Sequence, residues 1–226
     1  MKPTAIWGTK VYLEVKNTKL SHFSKNLSRQ ELETLLNMIY HLKNYQQNNL
    51  VILGIKHSGK STLGKRLGQD LNCDFYDLDE YILKMHNHFA SVRELYQARG
   101  KKYFQKMEKK ILKFFYKKFA QQEGNILALG GGTIENRAQI KMIKKRATLI
   151  YLYNEPQALF ERIIAGGLPP FVNKENPYRD FCKIFEKRDK MCKYFADFVL
   201  YINNLSVDDA FKSLKDLVVR QQLMKI

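Results

Sequence analysis

Apolar runs punctuate the chain from residue 49 onward. They are Asn49-Leu50-Val51-Ile52-Leu53, a weak Phe75-Tyr76, Asn125-Ile126-Leu127-Ala128-Leu129, Thr148-Leu149-Ile150-Tyr151-Leu152 and Phe198-Val199-Leu200-Tyr201-Ile202. Continuous apolar runs of this length suit strands buried on both faces, so the pattern predicts a parallel sheet covered by helices. Between the runs the apolar positions take a helical period, over residues 60–70, 91–98, 101–120, 136–145, 155–164, 178–194 and 206–222. Strands alternating with helices predict a doubly wound, three-layer α/β/α fold. Its ligands should lie at the carboxyl ends of the strands.

The first 48 residues follow a different pattern. Residues 10–15 alternate in places like a strand. Ser28-Arg29-Gln30-Glu31 reads as a capping box ahead of a helical stripe of Leu32, Leu35, Leu36, Ile39, Tyr40 and Leu42. So short a piece is too small for an independent core. The expected organisation is an N-terminal extension over 1–48, able to mediate a contact, and one domain over 49–226.

Composition narrows the class. With 226 residues, 45% hydrophobic and 12% aromatic, the chain is not disordered. No apolar run approaches the ~18 residues of a membrane span, and the N-terminus lacks the apolar core of a secretion signal. A cytoplasmic protein is expected, with no membrane partner. Lys and Arg number 39 against 22 Asp and Glu, a formal charge of +17. That balance favours anionic partners without choosing among them. Cys73, Cys182 and Cys192 have no zinc-finger spacing and read as free thiols.

The sharpest motif is Gly54-Ile55-Lys56-His57-Ser58-Gly59-Lys60-Ser61. It fits the phosphate-loop pattern G-x-x-x-x-G-K-[ST] and sits between an apolar strand and a helical stretch. Gly54 and Gly59 let the backbone turn its N–H groups toward phosphates, and the helix start adds its positive end. Lys60 would reach the β and γ phosphates, Ser61 would ligate Mg²⁺, and Thr62 would lie near the α phosphate. His57 and Ser58 complete the loop. Two further motifs follow. Asp77-Leu78-Asp79 closes the weak strand; on an extended segment its two carboxylates point the same way and share one site. Gly130-Gly131-Gly132 follows the third run and permits close backbone approach to a small ligand.

Taken together, phosphate loop, Asp-x-Asp and Gly-Gly-Gly resemble the shikimate kinase family, over about residues 49–222. The resemblance implies a five-stranded parallel sheet in the order 2-3-1-4-5 and ATP-dependent phosphorylation of the 3-hydroxyl of shikimate. It implies ATP and Mg²⁺ as cofactors, with Asp77 in the metal shell. It makes Asp79 the residue that binds the acceptor hydroxyls and acts as base beside the catalytic Lys60. Gly130, Gly131 and Gly132 would line the acceptor pocket. Arg188, of the pair Lys187-Arg188, would clamp the substrate carboxylate. Arg162 would stand by the nucleotide, ahead of the lid.

Two departures from the family pattern stand out. In Gly100-Lys101-Lys102-Tyr103-Phe104-Gln105-Lys106-Met107-Glu108, Gly100, Phe104 and Glu108 fit, but Gln105 replaces an arginine of the acceptor site. A neutral amide cannot supply the charged fork that a guanidinium offers a carboxylate. In the lid, Pro169 replaces another arginine, with Lys174 or Arg179 as candidate substitutes. Cys192 also stands where a tyrosine is expected. Two other patterns read as ordinary structure. His86-x-His88 has no third metal ligand. The lysines and aromatics of residues 110–118 have a helical period that buries one face, so no nucleic-acid partner is expected. The expected protein is a monomeric small-molecule kinase. The alternatives are a kinase of another small hydroxylated acceptor, or a degenerate nucleotide-binding relative with little turnover.

Overall fold

The computed structural model describes residues 48–165 and 175–224. The strand and capping box expected in the N-terminal extension lie outside the described residues, as do Pro169 and Lys174 of the lid.

Five strands form one sheet: β1 (Asn49–Leu53), β2 (Asp74–Asp77), β3 (Asn125–Ala128), β4 (Thr148–Tyr153) and β5 (Phe198–Tyr201). Their order is β2-β3-β1-β4-β5 and every pairing is parallel. The helices between them are α1 (Lys60–Asp70), α2 (Leu78–Lys84), α3 (Val92–Gln121), α4 (Arg137–Ile143), α5 (Pro156–Ala165), α6 (Pro177–Phe195) and α7 (Val207–Arg220). Order and class are those the alternating pattern and the family resemblance imply.

Strand alternation splits the core into two layers. Val51, Leu53, Leu127, Leu149 and Tyr151 pack on one side with Leu78, Ile111, Leu112, Phe115 and Met191 from α2, α3 and α6. Leu50, Ile52, Ile126, Ile150 and Leu152 pack on the other with Leu63 and Leu67 of α1 and Leu214 and Val218 of α7. The three central strands are buried along almost their whole length, while β2 at the edge is half-buried. This is why its sequence signal is weak.

Two helical features differ from the sequence expectation. Residues 78–84 form α2, which the apolar period does not reveal in so short a segment. Asp77 starts it as N-cap, its side chain accepting from the amides of Asp79 and Glu80. The stretches at 91–98 and 101–120 become one long α3 with a break at Gly100, whose φ of 77° and ψ of 171° are not helical. In the lysine-rich part of α3, Ile111, Leu112, Phe115 and Phe119 face the core. His86 is buried, with Nδ1 2.9 Å from the Ile82 carbonyl and Nε2 2.7 Å from the Tyr103 hydroxyl. Both ring nitrogens are therefore engaged in packing. The three cysteines are free. Among the described residues no helix is long and apolar enough to cross a membrane.

Candidate active site

The sheet order brings the three motifs to one edge. Asp77 of β2 is level with Ala128 of β3, which is level with Ile52 of β1. The next residues of each strand therefore leave the sheet side by side: the phosphate loop, the Asp-x-Asp segment and the glycine run.

The phosphate loop is a strained turn held by its own backbone. His57 has φ 63° and Gly59 φ 84°, both left-handed, which turns successive amides inward. Ser58 N donates to Ile55 O at 3.2 Å and Leu63 N to Gly59 O at 2.9 Å. Gly54 is required by packing: a Cβ there would press on the Ser58 hydroxyl and lie 3.2 Å from the Leu152 carbonyl. Lys60 is buried and its Nζ donates to Ile55 O at 2.9 Å. Burial lowers its pKa, and the nearby charges of Asp79 and Asp77 pull against that. Arg162, in the last turn of α5, donates from Nη1 to the His57 carbonyl at 3.4 Å. Burial first, then Lys56, Lys60, Arg162 and Arg93, push the His57 imidazole down. A ring of cations around inward-facing amides is a field that suits phosphate groups.

Asp77 and Asp79 differ from the sequence expectation in their local geometry. Asp79 is not on an extended segment; it lies in the first turn of α2. The two carboxylates meet because Asp77 caps that turn, with Oδ1 accepting from Asp79 N at 2.9 Å and Glu80 N at 3.2 Å. The Ser61 hydroxyl donates to the other oxygen, Asp77 Oδ2. Ser61 and Asp77 thus bring hard oxygen donors together beside the phosphate loop, a set that fits Mg²⁺ completed by water and phosphate. Asp79 points elsewhere. Its Oδ1 is shielded from solvent without a hydrogen-bond partner, and a Cβ on Gly130 would lie 2.6 Å from it. Burial and the neighbouring Asp77 push its pKa up to about 6, against the opposing pull of Lys60 and Lys56.

Around and beyond the glycine run lies a polar network that the sequence reading only partly anticipates. Arg188 of α6 lies against Gly132, where a Cβ would come within 3.1 Å of Nη2. Its Nε and Nη2 both donate to Glu135 Oε1, at 3.0 and 2.8 Å. Lys101 and Lys187 approach the other oxygen of Glu135 at 3.4 and 3.3 Å. Although burial acts the other way, these cations hold Glu135 down to about 2. Glu108 is buried on α3 and accepts from Thr133 Oγ1 at 2.5 Å and Asn136 Nδ2 at 2.7 Å. Its burial outweighs those hydrogen bonds and raises its pKa to about 7. Gln105, one turn earlier, is half-buried. Glu135 and Lys56 were not among the residues the motifs single out. Glu135 follows the glycine run by three residues, and Lys56 occupies a variable position of the phosphate loop.

The sequence model of the family described as shikimate kinase matches residues 56–218. The shikimate kinase of Chlamydia pneumoniae is 31% identical over 166 residues, 73% of this chain and 90% of that protein. That of Caldanaerobacter subterraneus subsp. tengcongensis is 27% identical over 161 residues, 71% of this chain and 90% of its own. Among solved structures, shikimate kinase from Acinetobacter baumannii in complex with shikimate superimposes with a TM-score of 0.69 at 22% identity, covering 80% of this chain and 97% of that one. Shikimate kinase from Aquifex aeolicus gives 0.62 at 24% identity, covering 77% and 98%. These structures share the fold, and the family match spans well over half the sequence. The chain belongs to the shikimate kinase family.

Proposed function

We propose that this protein transfers the γ-phosphoryl group of ATP to the 3-hydroxyl of shikimate. The observation that carries this reading is the place of Asp79, against Gly130 of the glycine run and within electrostatic reach of Lys60 of the phosphate loop. In the reaction the acceptor O–H bond breaks, a P–O bond forms to the acceptor, and the bond to ADP breaks. Asp79 takes the acceptor proton. A shielded carboxylate with its pKa raised to about 6 is a better base near neutral pH than an ordinary one, and it is still ionised there. Lys60 and the loop amides hold the phosphates, and Arg162 steadies the loop from α5. Mg²⁺, held by Ser61 and Asp77, would supply neutralising charge to the phosphate oxygens. The glycine run gives the acceptor room between Asp79 and Arg188, and Gln105 adds a neutral donor from α3. A cytoplasmic setting accords with three free thiols.

The test is ADP release with and without shikimate. Release should depend on shikimate, and Lys60→Ala should lower turnover by at least ~100-fold, because that contact strengthens as charge moves in transfer. ADP release indifferent to shikimate would overturn the acceptor. The second reading, another hydroxylated acceptor, is favoured by the neutral Gln105 and by the pairing of Arg188 with Glu135.

A further inference from the structure

The three glycines after β3 each make room for a different neighbour. A Cβ on Gly130 would meet Asp79 Oδ1 at 2.6 Å; one on Gly131 would meet Lys56 N at 2.8 Å and Lys56 Cα at 3.3 Å; one on Gly132 would meet Arg188 Nη2 at 3.1 Å. The backbone of Lys56 therefore packs against the glycine run between the contacts of Asp79 and of Arg188. Its position belongs to both halves of the site.

The charges along this line are unequal. Arg188 is committed to Glu135 through two donors. Lys101 and Lys187 turn to the same carboxylate. Lys60 is buried and bonded to the Ile55 carbonyl. Lys56 is exposed, and its ammonium forms no hydrogen bond or ion pair among the described residues. An anionic acceptor with its hydroxyl at Asp79 must bring a further negative charge into a region that already holds the carboxylates of Asp79 and Glu135. It needs a cation whose charge is not already taken.

We infer that Lys56 is the specificity-determining cation of the acceptor site and receives the carboxylate of the hydroxy-acid substrate. The assignment rests on the acceptor reading given above. Lysine suits the role as a compact charge on a flexible stem, able to meet the carboxylate without a fixed fork. Partial burial and Arg93 lower the pKa of Lys56 and Asp79 raises it, so its charge is felt beside the proposed base.

The test compares wild type, Lys56→Met and Lys56→Arg with two acceptors, shikimate and its methyl ester. KM and kcat are measured for each acceptor, with KM for ATP and thermal unfolding as controls. Wild type should prefer the acid to the ester by at least ~10-fold in kcat/KM, as expected for a charge-assisted contact. Lys56→Met should raise KM for shikimate by at least ~10-fold, by more than it raises KM for ATP, and erase the preference for the acid. Lys56→Arg should keep most of that preference. If Lys56→Met instead lowers kcat with KM and acid preference intact, Lys56 acts on the transferring phosphoryl group and the assignment is wrong. If wild type uses shikimate and Lys56→Met matches it throughout, the assignment alone fails. If wild type uses neither acceptor, the acceptor reading fails and takes the assignment with it.

Discussion

Asp79 is pulled in opposite directions by its surroundings. Burial and Asp77 favour its protonated form, while Lys60 and Lys56 favour the carboxylate. The balance leaves its pKa at about 6, so as a general base it should be active above that value and protonated below it. We expect kcat/KM for the acceptor to rise with pH through about 6 and then level off. A flat acidic limb would remove Asp79 from the proton path. Asp79→Asn keeps the shape but not the charge, so transfer should collapse while nucleotide binding survives. Asp77→Asn should do something different. Asparagine caps a helix about as well as aspartate, so α2 should persist while Mg²⁺-dependent nucleotide binding weakens. Equal loss of nucleotide affinity in the two variants would contradict this division of roles.

At the scale of elements, α3 carries two features with testable consequences. The first is its break. Gly100 lies in a region of backbone space that side-chain-bearing residues almost never occupy. A Cβ there meets nothing within 4 Å, so any cost of Gly100→Ala is conformational rather than steric. Chemical denaturation should show a loss of about 1–3 kcal/mol; an unchanged midpoint would mean that α3 runs straight at no cost. The second is Glu108, which ties α3 to Thr133 and Asn136 just beyond the glycine run. Its pKa rises from 4.5 in the ordinary state to about 7 in the fold, chiefly through burial. The folded chain thus holds this proton more tightly than the unfolded one. The stabilisation is fully present below about 4.5 and is lost as pH rises through about 7. Glu108→Gln has no charge to bury, and the Thr133 hydroxyl can rotate to suit the amide. Its melting temperature should gain on that of wild type between these two pH values. Parallel curves would place the Glu108 titration elsewhere.

For the whole molecule, one open sheet organises both halves of the site. Its central strands supply the two buried layers of the core, and their carboxyl ends supply the phosphate loop and glycine run. Among the described residues these two layers run from Leu50 to Met224, and the pattern of residues 1–48 is too short for a core of its own. We therefore expect a chain beginning at residue 48 to fold cooperatively and keep shikimate-dependent ADP release within a few-fold of the full chain. A truncated chain that does not unfold in a cooperative transition would make residues 1–47 part of the domain rather than an extension to it.

Much of this arrangement is legible in the chain because it depends on neighbours in sequence. A buried parallel strand needs an uninterrupted apolar run, and four of the five strands have one. A phosphate loop is a local turn, so its glycines, Lys60 and Ser61 declare themselves by spacing. The helical period separates the buried face of α3 from its lysines. What the chain could not display is pairing across long separations. Glu135 and Arg188 stand 53 positions apart, and no local pattern announces that the charge of Arg188 is already shared. The conformation of Asp79 depended on which structure Asp77 would end or begin: an extended segment and a capped helix place the same two carboxylates differently, and packing of Leu78 and Ile82 into the core, with the Asp77 cap, selects the helix. Lys56 is one more lysine in a strongly basic sequence until Gly131 closes against its backbone. Local chemistry is written in order along the chain. The electrostatic worth of each charge is set by what the fold brings beside it, and that depends on contacts between segments far apart in sequence.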